Sequence, residues 1–307
     1  MDKILVFGHK SPDTDSICSA LVKTILDKKK NGVEHIPCRL GNIGKETQYV
    51  LDYLKLDAPM LLENIEDGQQ VILVDHNEFC QSVDGIEKAK IIGVIDHHRI
   101  SGFQTSEPLY YTARPYGCTC TILYNMFNES NIEIEKTEAV LMASAIISDT
   151  LLLKSPTTTK KDVEALENLA KIANININEY GLDMLKAGTD LSDYSAEELI
   201  NIDAKCVDMN GNKVKIAQVN TVDIQDVLKG QAKLEAAINN TINNENLDLF
   251  VFAITDIVNS NSEAIVFGKR TDIVEKAYNV KLENNRAFLP GVVSRKKQML
   301  PIMQENA

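Results

Sequence analysis

At 307 residues the chain is longer than one hydrophobic core comfortably supports, so two domains are expected. Its 44 acidic against 32 basic residues give a formal net charge of -12, which repels the phosphates of a long nucleic acid and leaves room only for a local basic pocket. The longest early apolar run, Ile4 to Phe7, is far too short for a signal-peptide core or a membrane span, and no later run is long enough, so a cytoplasmic protein without membrane partners is expected.

In chain order, "KILVF" predicts a short first strand, followed at once by "GHKSPDTDS" (Gly8 to Ser16). From Asp15 to Lys30 the helical period places Ile17, Leu21 and Ile25 on one face, and Lys28, Lys29 and Lys30 form a solvated helix end. "VILVD" and "IIGVID" predict two more strands separated by segments of helical period, the signature of βαβ units and a parallel sheet. From Tyr116 to Asp149 the pattern is helical, and "EAVLMASAIISDT" is apolar enough to be buried. "KKDVEALENLAKIANI" is a further helix, and "KAGTDLSDYSAEEL" breaks the period with Gly188 and small acidic residues.

The expected division is therefore a domain over 1–188, a hinge linker over 189–194 and a domain over 195–307. Ser195 and Glu198 form a capping-box pattern opening the second domain. Strand "KVKIAQVN", a helix over about Lys229 to Asn244, strands "LDLFVFAIT" and "EAIVFG", and a short helical tail complete a smaller α/β domain. The six cysteines contain no C-x-x-C pair and read as reduced, mostly buried thiols.

Ligands of open parallel sheets sit beyond the carboxyl ends of the strands, so polar residues there carry information. His9, Asp13 and Asp15 follow the first strand, Asp75 ends "VILVD", and Asp96, His97 and His98 end "IIGVID". Asp149 meets them from the end of an apolar helix, where a carboxylate needs a cation or hydrogen-bond partners. Taken singly, Asp13 or Asp15 is more often a helix N-cap and Asp75 a turn residue. The coincidence of all three strand ends favours a metal, and mixed imidazole and carboxylate donors suit Mn, Co, Fe or Zn better than an all-oxygen Mg or Ca cage. His35 receives no role, and His76 reads either as support for a neighbouring ligand or as an exposed residue.

"GHKSPDTDS", "VDHN" (Val74 to Asn77), "DHH" (Asp96 to His98), "SD" (Ser148 and Asp149) and "SRKKQ" (Ser294 to Gln298) span the chain in that order. Together they closely resemble the family II inorganic pyrophosphatases of the DHH phosphoesterase superfamily. The resemblance implies an α/β protein: an N-terminal doubly wound, mostly parallel-sheet DHH domain, a smaller C-terminal α/β domain, and an active site in the cleft between them. It puts His9 and Asp13 on one metal ion, Asp15, His97 and Asp149 on another, and Asp75 between the two. It gives Lys205, Arg295 and Lys296 to phosphate binding, and makes His98 a substrate contact that helps protonate the leaving phosphate. His98, Asp75 and Asp13 then form the catalytic set.

The implied cofactors are two Mn2+ per subunit, with Co2+ the alternative, and Mg2+ arriving with the substrate. The implied reaction is hydrolysis of pyrophosphate to two phosphates by attack of a metal-bridging hydroxide, without a covalent intermediate and with domain closure; two ions about 3.5 to 4 Å apart suit that chemistry. The implied assembly is a homodimer formed through the N-terminal domain. The guanidinium of Arg295 is expected to grip phosphate oxygens with its planar fork.

Two rivals are weaker. A DHH-type phosphodiesterase or exopolyphosphatase typically carries a "GGGH" segment that is missing here, and aromatic platforms for bases are few. A metal- or nucleotide-binding regulator would be favoured by degenerate ligands, and none of the six metal positions is degraded.

Overall fold

The computed structural model describes residues 4–307. Lys3, the first residue of the expected strand "KILVF", lies outside the described residues. Compactness divides the chain into two units, one ending at Gly188 and one beginning at Thr189, so the segment 189–194 read as a linker falls in the second.

The first unit runs β1 (Leu5–Lys10), α1 (Thr14–Asn31), β2 (Ile36–Leu40), α2 (Lys45–Leu54), β3 (Met60–Leu61), β4 (Gln70–Val74), β5 (Lys90–Asp96), β6 (Tyr110–Ala113), α3 (Thr119–Glu129), α4 (Lys136–Thr150), α5 (Lys160–Ala173) and α6 (Ile177–Gly188). Its six strands lie in the order β3-β2-β1-β4-β5-β6, every pair parallel. The chain winds outward from β1 in one direction and returns through β4 in the other, which is the doubly wound arrangement.

On one face α1 packs on β1 and β2 and is itself covered by α3 and α4. On the other, Phe7, Val71 and Leu73 pack against Val83 and Ile86 beside two 3₁₀ turns, Phe79–Gln81 and Ile86–Lys88. Enclosure of α1 changes the expected stripe. Ile17 is buried, Leu21 and Ile25 are only half-buried, and Cys18, Val22 and Leu26 are as deep as Ile17 because neighbours surround the helix. The helix ends as expected, with Gly32 in the left-handed region and Lys28 paired to Glu34 and Lys29 to Glu135 and Glu138.

The stretch 116–149, read as one helical pattern, is two helices, because the chain turns through a left-handed Asn131 after α3. α4 is apolar on all sides and buried from Ala139 to Ile147.

The second unit comprises α7 (Ala196–Leu199), β7 (Lys205–Met209), β8 (Asn212–Thr221), α8 (Ile224–Leu228), α9 (Gln231–Glu245), β9 (Leu249–Asp256), β10 (Asn261–Gly268), α10 (Asp272–Tyr278), β11 (Arg286–Pro290) and α11 (Leu300–Glu305). Its sheet has the order β11-β10-β9-β8-β7, with only β8 and β9 parallel. Alternate residues of the central strand β9 feed two cores: Leu249 and Val251 meet Ile273 and Met303, while Phe250 and Phe252 meet Leu234 and Ile238. Burial on both faces explains why "LDLFVFAIT" is almost continuously apolar. The expected capping box forms, with Glu198 N donating to Ser195 Oγ at 3.2 Å and Ser195 N donating to Glu198 Oε2 at 2.8 Å. Strands β7 and β11 and helix α10 have too little apolar period to be read from sequence.

Among the described residues no helix is long and apolar enough to cross a membrane.

Phe252→Ala removes a fully buried ring and is expected to cost about 3–5 kcal/mol, against about 1 kcal/mol for loss of the exposed cap in Ser195→Ala. Urea unfolding of both variants measures the contrast; equal losses would contradict this account of the second core.

Candidate metal centre

The carboxyl ends of β1, β4 and β5 are neighbours in the sheet, at the point where the strand order reverses, so the residues that follow them converge. After β1 the chain passes so close to α1 that a Cβ on Gly8 would lie 2.5 Å from that of Ser16. This approach lets Ser16 Oγ accept from His9 N at 3.3 Å and donate to Asp75 Oδ2 at 2.8 Å. Asp75 itself sits in the left-handed region at φ 58°, a conformation aspartate tolerates, which turns its carboxylate back over the end of β4.

Two clusters result. His9 Nε2 lies 3.4 Å from both Asp13 Oδ2 and Asp75 Oδ2. His97 Nε2 lies 3.3 Å from Asp75 Oδ1 and 3.8 Å from Asp149 Oδ2. Asp15 completes the second group, and the ligand atoms within each of the sets His9/Asp13/Asp75 and Asp15/His97/Asp149 lie within 4.8 Å of one another. Asp75 thus presents one oxygen to each side.

Asp13 is also the N-cap of α1, accepting from Ser16 N at 2.9 Å through its other oxygen, so the capping and cluster readings hold together. Asp15 is no cap of its own helix. Fully buried, it accepts from Thr119 N at 2.7 Å and Cys120 N at 3.2 Å, the free amides at the start of α3, and from Ser19 Oγ at 2.8 Å.

The electrostatics are those of buried carboxylates and imidazoles packed against one another. Burial lowers the pKa of His9, but the hydrogen bonds to Asp13 and Asp75 overcome it and push the imidazole up to about 11. The same competition raises His97 to about 9. Burial, then the neighbouring Asp75, pushes Asp15 up to about 6, while burial and three carboxylates hold Asp149 well above the usual range. Asp75 goes the other way: its burial is outweighed by His9 and His97, which hold it below the usual range.

The donors fit a cation. Asp149 Oδ2 is buried with no hydrogen-bond partner. The Nδ1 atoms of His9 and His97 face the carbonyls of Lys10 (2.8 Å) and Tyr116 (3.0 Å), which can only accept, so each Nε2 turns an unprotonated lone pair to the carboxylates when the ring is neutral. A third group, Asp15/Cys118/Cys120, is fully buried, and burial pushes Cys118 well above its ordinary value and Cys120 to about 11, which disfavours the thiolate a metal needs.

His98 stands at the edge of the second cluster: its ring packs against that of His97 with centroids 4.2 Å apart, and its Nδ1 lies 3.7 Å from Asp75 Oδ1, so Asp75, His97 and His98 form a further group of possible ligands. Half exposed, it contacts Asp96 Oδ1 through Nδ1 at 2.9 Å and through its backbone N at 3.1 Å. Asp96 is fixed by Asn77 Nδ2 at 2.6 Å, and the same amide binds Arg99 O while its oxygen accepts from Ser101 N. His76 is buried rather than exposed, bridging Val74 O and Ser82 Oγ, because it faces the sheet beside Phe7. His35 pairs with Asp27 at 3.1 Å, away from these clusters.

In the second unit "SRKKQ" forms a single π turn, Arg295–Met299, capped by Ser294. Gln298 Oε1 accepts from Val293 N and Ser294 N, and Gln218 Oε1 accepts from Arg295 N at 2.8 Å. Arg295 lays its Nε and Nη2 on Asp203 at 3.1 and 2.7 Å. Lys205, Lys296 and Lys297 are exposed. Ser16, Thr119 (whose Oγ1 donates to Asp75 Oδ1 at 3.2 Å), Asn77, Asp203 and Gln218 were not singled out by sequence; Ser16 and Asn77 lie inside the quoted motifs, whereas the other three carry no local signal.

Two family models match the chain: the DHH family, N-terminal domain, over residues 3–146, and the DHHA2 domain over residues 182–306. The manganese-dependent inorganic pyrophosphatase of Bacillus subtilis is 55% identical over 306 residues, covering 99% of both chains. A protein named as a probable manganese-dependent inorganic pyrophosphatase from an Exiguobacterium species is 56% identical over 100% of this chain and 99% of its own. A solved Methanococcus jannaschii structure with a provisional family II inorganic pyrophosphatase name aligns at TM-score 0.62 and 43% identity, covering 99% of both chains. An exopolyphosphatase-related protein from Bacteroides fragilis, 14% identical at TM-score 0.52 and covering 99% of this chain and 92% of its own, shares the fold. With full-length identity above one half and both family models in the expected order, the chain belongs to the family II, manganese-dependent inorganic pyrophosphatases.

Proposed function

We propose that this chain hydrolyses inorganic pyrophosphate to two phosphates at a two-metal site, with His9 and Asp13 on one Mn2+, Asp15, His97 and Asp149 on the other, and Asp75 shared. The observation that carries it is the carboxylate of Asp75, whose Oδ2 faces His9 and Oδ1 faces His97. When bound, such ions supply Lewis acidity toward the phosphate oxygens and a nucleophile derived from water at neutral pH.

The remaining work belongs to the side chains. Ser16 and Thr119 donate one hydroxyl to each oxygen of Asp75 and so fix its plane. His98, half exposed with its Nδ1 on Asp96 Oδ1, serves as proton donor to the leaving phosphate; the Asp96 hydrogen bond outweighs the opposing effect of burial and raises its pKa, which favours the protonated ring. Asp13 is the half-exposed member of the first cluster, which leaves it open to solvent and to the attacking water. Lys205, Arg295 and Lys296 of the second unit neutralise phosphate oxygens. Mg2+ accompanies the substrate, since it prefers phosphate oxygens and keeps its waters. A homodimer in the cytoplasm completes the reading, carried by the family resemblance.

Protein stripped with chelator and reloaded with Mn2+ is expected to release phosphate rapidly from pyrophosphate in the presence of Mg2+. A folded, Mn2+-loaded protein that releases none would overturn the function, and release from polyphosphate alone would move it to the exopolyphosphatase reading.

His98→Gln should lower kcat by about 10²–10⁴. Asp96→Asn removes the partner that raises the His98 pKa, so the alkaline limb of the kcat profile should move to lower pH; an unmoved limb would exclude the pairing as the source of the acid.

Metal binding must displace protons from His9 and His97, both of which bind them strongly in the metal-free state. Mn2+ affinity therefore rises with pH through the neutral range, by up to about 100-fold per unit for the loss of two protons. Calorimetric titration in buffers of different ionisation heat counts those protons, and a count of zero would contradict the ligand set.

A further inference from the structure

The residues flanking the proposed ligands are tied to a carboxylate that lies in none of the motifs. Glu46 stands in the first turn of α2, and its Oε1 accepts from Thr14 Oγ1 at 2.6 Å and from Ser148 Oγ at 2.5 Å. Thr14 sits between Asp13 and Asp15, and Ser148 immediately precedes Asp149. One oxygen therefore joins the start of α1 to the end of α4. Thr47 Oγ1, 3.1 Å from Thr14 Oγ1, supports the same hydroxyl from the next residue of α2.

An acid in a first helical turn is ordinarily explained by the helix dipole. That explanation does not require the neighbourhood found here. α6 ends against this side chain, and a Cβ on Gly188 would lie 2.8 Å from Glu46 Cβ and 3.0 Å from Oε2. Glycine leaves the space in which the carboxylate stands upright between the two hydroxyls.

We infer that Glu46 is a positioning residue: it sets the spacing between the Asp13/Asp15 segment and Asp149, and through it the affinity of the site for Mn2+. The inference rests on the ligand assignment proposed above. Because both hydroxyls meet one oxygen, loss of Glu46 frees both segments at once, whereas loss of either hydroxyl frees one.

The test compares Glu46→Ala, Glu46→Gln and Asp149→Ala in the full chain. Free Mn2+ is measured by electron paramagnetic resonance during titration, with kcat and KM taken at saturating Mn2+. E46A is expected to weaken Mn2+ binding by about 10–100-fold, the usual cost of losing a group that orients a ligand. E46Q keeps an oxygen for the two hydroxyls and should recover most of the affinity, and KM for pyrophosphate at saturating Mn2+ should stay near wild type in both. Wild-type affinity in E46A, with binding lost in D149A, would overturn the inference and leave the ligand set standing. Wild-type affinity in D149A would overturn the ligand set itself. If E46A does not fold, Gly188→Ala displaces the same carboxylate with a single methyl, and unchanged Mn2+ affinity in that variant would equally overturn the role.

Discussion

Carboxylates do not gather in a buried space unless positive charge holds them there. Asp15 and Asp75 are fully buried, Asp149 keeps a buried oxygen without a partner, Asp75 raises the pKa of Asp15, and both raise that of Asp149. In the protein alone the compensation comes from protons on His9 and His97, with Asp75 drawing the pair of imidazolium rings to opposite ends of one carboxylate. Everything around the site serves this concentration of charge: a close turn at Gly8, a left-handed Asp75, and the amides of α3 pointed at Asp15. A cation held by these carboxylates would supply the same compensation in place of those protons.

The fold is the means of bringing the groups together. A parallel sheet whose strand order reverses at β1 places the ends of β1, β4 and β5 side by side, although the chain visits them far apart in sequence. Helix α4, buried on all sides, delivers Asp149 from beneath, which an amphipathic surface helix could not do. The cost of that arrangement is borne in the interior, where α1 gives up its solvent face to α3 and α4.

Much of this is legible in the residues themselves. Strand ends that carry His9, Asp75 and His97 stand out because apolar runs rarely stop on such chemistry by chance, and the capping box at Ser195 is a local pattern with a local cause. What escapes is non-local. Nothing near Thr119 announces that its amide will meet Asp15, and nothing near Asp203 announces Arg295, because each pairing is made by chain closure. The break between α3 and α4 escapes for a different reason: buried helices keep no clean period, so their ends blur. The dual character of Asp13 also could not be separated in sequence, since one oxygen caps α1 while the other faces His9.

The pairing of Arg295 with Asp203 changes what that arginine can offer. A guanidinium held along its Nε and Nη2 edge cannot present the same edge as a fork, so an incoming anion meets only the outer N–H groups. Its rotamers are already frozen in folding, and the ordering entropy that a free arginine would lose on capture of a ligand is not lost again. The charge is also partly spoken for by Asp203, which weakens the hold on a singly charged anion more tellingly than on a dense one. For an arginine so tethered, the charge density of a ligand would matter more than its fit to a planar fork.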